Sequence, residues 1–285
     1  MLKYLLATLL FTLSLFAKVP DIVPVSWLKE HYNDKNLVLI DVRERKEFAK
    51  LHLQKAVNVP VFEKLFHGKT MVIPPLSSLK ELFSHAGIDE NSQIIVYGGT
   101  NPIWAARFYW ISKVLGADNI GILQQSFQSW PKGYLPVTTK VYHPQYTDFA
   151  PKIDNTIIDT KLDVLTSIGK AYIIDGRPFP FYIGKNSHAK RHGHIPQALN
   201  FPGNLTYDVN GTQSTIKSLK ELKKVYSTLP KDKPVILYCE DGADAAMNFL
   251  VLKKLGYKVS VYDGSWLEWG NDSRLPVETK VNKIQ

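Results

Sequence analysis

The second half of this chain repeats the first, and that fact limits the possible folds more than any other. Leu37-Val-Leu-Ile-Asp-Val-Arg-Glu44 is answered by Ala171-Tyr-Ile-Ile-Asp-Gly-Arg-Pro178, so an apolar run ends in Asp-x-Arg twice. Leu51-His-Leu-Gln-Lys-Ala-Val-Asn58 is answered by Gly193-His-Ile-Pro-Gln-Ala-Leu-Asn200, with histidine, alanine and asparagine in register. Gln93 to Tyr97 matches Pro234 to Tyr238, and Ala105-Ala106 with Gly116 matches Ala245-Ala246 with Gly256. Each half closes on a tryptophan, Trp130 or Trp269, and then a Leu-Pro-Val. A period of about 135 to 140 residues is too long for a solenoid unit and means two copies of a whole domain. The boundary falls between Thr138 and Ile153, where two prolines and no periodic pattern mark a linker whose aromatics suggest that it packs across a surface. The expected division is residues 18–138, a linker 139–152, residues 153–280 and a tail 281–285.

Within each copy, short apolar runs alternate with helical stretches. The helices are expected at Ser26–Asn33, Pro75–Ala86 and Ala105–Leu115, then at Leu162–Ser167, Ser218–Ser227 and Ala245–Leu255. That alternation implies an α/β class, each domain a mostly parallel sheet with helices on both faces. Sites in such sheets lie at the carboxyl ends of the strands.

Residues 1–17 read as a secretory signal: one lysine, an apolar run from Leu5 to Phe16, and Ala17 for cleavage. Twelve residues fall short of the roughly 20 needed to span a bilayer, so no stable membrane insertion is expected after cleavage. Leu15 is a poor residue at the third position before the cut, which leaves an uncleaved anchor as the alternative. An exported, periplasmic protein follows. The net charge of +9 comes from scattered lysines with no basic stripe interleaved with aromatics, which argues against nucleic acid as a partner.

Cys239 is the single cysteine, so no internal disulfide is possible, and an exported thiol is a liability unless it is buried or used. It follows the apolar run Val235–Tyr238 and precedes the helical stretch, at a strand-to-helix turn. There the backbone N–H groups of Glu240, Asp241, Gly242, Ala243 and Asp244 can curl towards the sulfur and favour its anion. That suits a nucleophilic thiolate or a persulfide, and hence sulfur transfer; the bland alternative is a small buried apolar residue. Gly98 stands at the matching place in the first copy, so that domain is expected to be structural and to wall one side of a cleft, with Trp104, Phe108, Tyr109 and Trp110 in its core or interface.

Taken together, the repeat, the two Asp-x-Arg motifs, Gly193-His-Ile-Pro-x-Ala198 and the cysteine loop resemble the tandem-domain rhodaneses, thiosulfate or 3-mercaptopyruvate sulfurtransferases. The resemblance covers nearly all of the mature chain. It implies an inactive first domain, an active second one, and a cofactor-free cycle in which Cys239 takes a sulfane sulfur from a small donor or a protein persulfide. The sulfur then passes to a thiol or cyanide. It also implies that Asp175 and Arg177 hold the domain and its loop, that Trp266 and Trp269 pack beneath it, and that His194 supports them.

The departures from that family are in the site. Phe181 stands where the thiosulfate enzymes carry a substrate-binding arginine, and Glu240, Asp241 and Asp244 put three carboxylates around the sulfur. A helix start favours an anion by roughly 0.3–1 kcal/mol, whereas a carboxylate about 4 Å away opposes it by about 1 kcal/mol even in water. Asp244 as a helix N-cap and Glu240 pointing to solvent would remove the conflict. An anionic donor would then be held by Lys185, Lys190 and Arg191. His188 and His192 have metal-ligand spacing, but they sit in a glycine- and proline-flanked loop without a third ligand, so no metal is expected. A cysteine phosphatase would need an arginine where Ala245 stands. The rival reading is a sulfur carrier or binding module with little turnover.

Overall fold

The computed structural model describes residues 18–281, so the signal read in residues 1–17 lies outside the described residues. In the first copy, strands β1 (Ile22–Val23), β2 (Leu37–Asp41), β3 (Ala56–Asn58), β4 (Gln93–Tyr97) and β5 (Ile120–Leu123) form a sheet ordered β1-β5-β4-β2-β3. In the second, β6 (Ile158–Asp159), β7 (Tyr172–Asp175), β8 (Leu199–Asn200), β9 (Val235–Tyr238) and β10 (Val259–Tyr262) are ordered β6-β10-β9-β7-β8. The order is the same in both, and every pairing in both sheets is parallel. Register is duplicated too: Asp41 lies opposite Tyr97 as Asp175 lies opposite Tyr238. Central strands β4 and β9 are buried on both faces, which is why Ile94–Tyr97 and Val235–Tyr238 are unbroken apolar runs.

Helices form near the expected places: Val25–His31, Leu76–His85, α1 (Ile103–Val114), Lys161–Ser167, Leu219–Val225 and α2 (Ala243–Lys254). Thr160 and Ser218 start two of them with reciprocal capping boxes, to Asp163 and Glu221. Helices α1 and α2 are buried nearly all round, because each is covered by its own sheet on one side and by the other helix on the opposite side. One apolar core therefore runs through both domains, from Ile40 and Val96 through Phe108 and Trp110 to Phe249 and Val261.

The linker has no helix or strand between 139 and 154 and lies along the first domain. Phe149 is buried there, with its N–H on Ser84 Oγ at 3.1 Å, and the Lys152 N–H reaches Leu115 O at 2.9 Å. An antiparallel hairpin, Tyr207–Asn210 with Gln213–Ile216, which the sequence reading did not contain, stands where the first copy makes only a single antiparallel bridge, His67 with Val72. It extends from the second domain onto the first: Ser126 N–H donates to Ser214 O at 3.0 Å, and Ile216 N–H to Gln124 O at 2.8 Å.

Candidate active site

Strand β9 ends at Tyr238 and α2 begins at Ala243, so residues 239–242 form a tight loop at the carboxyl edge of the sheet. Gly242 closes it at φ +89, a conformation that costs a side-chain-bearing residue but not glycine. From that position its N–H donates to Cys239 Sγ at 3.1 Å. The loop is clamped from outside by the start of the helix Ser265–Trp269. Cys239 N–H donates to Ser265 Oγ at 3.2 Å, while the Trp266 and Leu267 N–H groups donate to the Cys239 and Glu240 carbonyls at 2.9 and 3.1 Å. Orphan amides of one helix thus fix the backbone of the loop that precedes another.

Beneath the loop, Asp175 and Arg177 do what the repeated motif requires. Asp175 accepts the Arg177 backbone N–H at 2.9 Å, its guanidinium at 2.7 Å and the Tyr238 hydroxyl at 2.7 Å. Arg177 then reaches Gly193 O at 2.7 Å and lies over the Trp266 ring at 4.4 Å. The first domain repeats the arrangement with Asp41 and Arg43, but around Gly98. His194 is buried, stacked on Tyr182 and bonded to its carbonyl at 2.8 Å; burial lowers its pKa, so the ring is neutral. Trp266 is buried and bonds Ser187 Oγ at 3.1 Å.

The charges differ from the simple expectation of a stabilised thiolate. Cys239 is completely buried, and its thiol pKa is pushed well up, first by burial and then by Asp241 and Asp244; the N–H groups of Ala245 and Asp241 pull the other way and lose. At rest, Cys239 is a thiol. Its sulfur faces Asp241 Oδ1 at 3.9 Å, and the same oxygen accepts the Ala243 N–H at 3.1 Å. Asp241, and not Asp244, therefore caps the helix start. The N-cap position itself is Gly242, and burial raises the Asp244 carboxyl to about 7.

Glu240 also departs from its expected place in solvent. It turns inward, accepts the His188 N–H at 3.3 Å and faces Arg177 Nη1 at 3.6 Å. Neither Glu240 Oε2 nor Arg177 Nη1 has a hydrogen bond among the described residues, and burial raises the Glu240 pKa.

Of the three cations expected to hold a donor, Arg191 is a correction. Its guanidinium donates to the carbonyls of Trp269, Asp272 and Leu275 at 2.5–2.6 Å and to Gly270 O at 3.2 Å, so it holds the chain that leaves the Ser265–Trp269 helix. Lys190 is exposed, with its backbone N–H on Asn271 Oδ1. Lys185 lines a shallow cavity of about 400 Å³ with Phe181, Asn186, Ser187, His188 and His192. This cavity adjoins the loop through the His188–Glu240 contact.

The sequence reading missed the pair that joins the first domain to the loop. Arg107, fully buried on α1, bonds Asp263 Oδ1 at 2.8 Å and lies 4.9 and 5.0 Å from the Phe66 and Trp110 rings. Asp263 also accepts the Ile73 N–H at 2.8 Å. A Cβ on Gly242 would meet Arg107 Nη1 at 2.5 Å, so the guanidinium is packed directly on the cysteine loop. The available signal was an arginine in the middle of the apolar run Ile103–Ile111, away from the polar end of the helix at Ser112 and Lys113.

With this geometry in view, the comparisons with known proteins are decisive. The model of the rhodanese-like domain matches twice, over residues 24–132 and 160–272. The chain belongs to the rhodanese-like domain family. A protein of Synechococcus elongatus named "Putative thiosulfate sulfurtransferase" is 32% identical, over 94% of this chain and 88% of its own length. The sulfur carrier protein TtuD of Thermus thermophilus is 30% identical, over 92% and 98%. Among solved structures, the 3-mercaptopyruvate sulfotransferase SseA of Escherichia coli superposes with a TM-score of 0.77 at 25% identity, covering 86% of this chain and 98% of its own. In this rhodanese-like chain, then, the cysteine loop lies in the second of two family domains, and the first has glycine in its place.

Proposed function

We propose that the protein is a sulfurtransferase that moves a sulfane sulfur from a donor to a thiol or cyanide through a persulfide on Cys239. The observation that carries this reading is the Gly242 N–H on Cys239 Sγ, in a loop held from below by Arg177 and from outside by the Ser265–Trp269 helix. Such a loop needs no side chain to cradle a terminal sulfur anion. In the cycle, the Cys239 sulfur displaces the donor remnant and keeps the sulfane sulfur. The acceptor thiolate or cyanide then removes that sulfur and frees Cys239. A small anionic donor would approach through the cavity lined by Lys185, Phe181, His188 and His192, which meets the loop at the His188–Glu240 contact; the lysine is what supports this reading. The lysine and the apolar run of residues 1–17 support export, and with it a periplasmic setting for this chemistry.

A second reading, a sulfur carrier that receives its sulfur from a protein persulfide, is favoured by the buried thiol and the carboxylates beside it. The relative named as a sulfur carrier gives it further support. Steady-state assays with thiosulfate and 3-mercaptopyruvate as donors and cyanide as acceptor separate the two. Thiocyanate formed at many turnovers per Cys239, and absent in Cys239→Ser, supports the enzyme. At most one equivalent formed from pre-loaded protein supports the carrier.

A further inference from the structure

Cys239 must lose a proton before it can attack a donor, and the structure gives that proton one nearby destination. The thiol is completely buried, and among the described residues the one side-chain acceptor it meets is Asp241 Oδ1, at 3.9 Å. Asp241 is fixed in that orientation by the Ala243 N–H, which donates to the same oxygen at 3.1 Å. The other charged groups around the loop face partners other than the sulfur. Arg177 is paired with Asp175 and faces Glu240, and Arg107 is paired with Asp263. Glu240 accepts the His188 N–H on the far side, and Asp244 packs against Gly203. A bond that is long at rest is no bar to the role, because contacts of this kind tighten when substrate binds.

We propose that Asp241 is a catalytic residue, the general base that takes the Cys239 proton as the sulfur attacks. This rests on the sulfur-transfer reading of Cys239. Asp241 Oδ1 receives the Sγ proton while a sulfur lone pair forms an S–S bond to the sulfane sulfur of the donor. The donor's own bond to that sulfur breaks, and its electron pair leaves with the remnant, as sulfite in the case of thiosulfate. No electron enters or leaves the system. In the second half, the acceptor attacks the outer sulfur, the S–S pair returns to Sγ, and Asp241 hands the proton back. A loop that holds the resting sulfur as a protected thiol thereby activates it only when a donor is in place.

The test turns on sign. Asp241 also opposes the thiolate electrostatically, so if that were its only effect, Asp241→Asn would raise the thiolate fraction and speed sulfur loading. As the base, its loss slows loading at neutral pH by about a hundredfold and shifts the rise of the loading rate to alkaline pH. Asp244→Asn removes the other carboxylate that opposes the thiolate, one that does not touch the sulfur, and is expected to speed loading, most clearly above about pH 7 where Asp244 is ionised. Loading is measured by rapid-quench mass spectrometry of the full-length protein with thiosulfate and with inorganic polysulfide. Alkylation by iodoacetamide, followed across pH, confirms that the variant thiol is intact and reports its ionisation. Slow loading in Asp241→Asn together with faster loading in Asp244→Asn supports the inference. Equal or faster loading in Asp241→Asn overturns it while leaving Cys239 as carrier. Failure of the wild type to load from either donor would instead remove the reading on which it rests.

Discussion

Arg107→Met tests the claim that the first domain holds the cysteine loop. The substitution keeps an unbranched apolar side chain against Phe66 and Trp110 but removes the cation from Asp263, whose side chain is 10% exposed. The Ile73 N–H remains on that carboxylate and offsets part of the loss. Breaking a buried pair on one side costs about 3–5 kcal/mol, because it leaves an uncompensated charge. At roughly 2–4 °C per kcal/mol for a chain near this size, the midpoint should fall by about 10 °C. Adding Asp263→Asn, which keeps an oxygen for the Ile73 N–H, should recover more than half of the loss. Denaturant unfolding and calorimetry of the four proteins in the cycle give the coupling, and the iodoacetamide rate at Cys239 should change in the single variant. A loss below about 1 kcal/mol, the value of a solvent-exposed pair, would refute the idea that this contact joins the domains under the loop.

Three further perturbations separate the roles assigned here. Gly242→Ala puts a side chain at φ +89 and onto the Arg107 guanidinium; about 1–2 kcal/mol of backbone strain and the collision should displace the N–H on the sulfur, so that sulfur loading falls more than stability does. Arg191→Ala should lower the unfolding free energy by at least about 1.5–3 kcal/mol with the donor KM unchanged, whereas Lys185→Ala should raise the KM for an anionic donor without changing stability. Asp244→Asn should gain stability over the wild type as pH rises. The carboxyl is raised from 3.8 to about 7 in the folded protein, so its penalty is absent below the lower value, where both states are neutral, and complete above the upper one. Matched denaturation curves across that range check the sign.

Much of this architecture was legible from sequence, and for a physical reason. Buried parallel strands must be unbroken apolar runs, so Val235–Tyr238 and Ile94–Tyr97 identify themselves, and the duplicated Asp-x-Arg marks the same strand end in both domains. Cys239 could be located because a strand-to-helix turn follows from the change of periodicity. What was hidden depended on tertiary placement. Arg191 looks like any other residue of a basic loop until the Trp269, Gly270, Asp272 and Leu275 carbonyls are seen around it. Glu240 and Asp241 are indistinguishable as letters, yet one turns to Arg177 and the other to the sulfur. The hairpin at 207–216 lengthens a turn that the first copy makes only as a single bridge between His67 and Val72, so its strands have no clear counterpart in the repeat, although Gly211 at the first turn position is a usual mark of a two-residue hairpin.

The most direct test of the central claim is intact-mass analysis of the purified protein after separate incubation with thiosulfate, 3-mercaptopyruvate and inorganic polysulfide, with Cys239→Ser alongside. The account predicts a gain of one sulfur atom in the wild type, removed by cyanide and absent from the variant. A protein whose thiol still reacts with iodoacetamide but gains no sulfur from any of the three would contradict it.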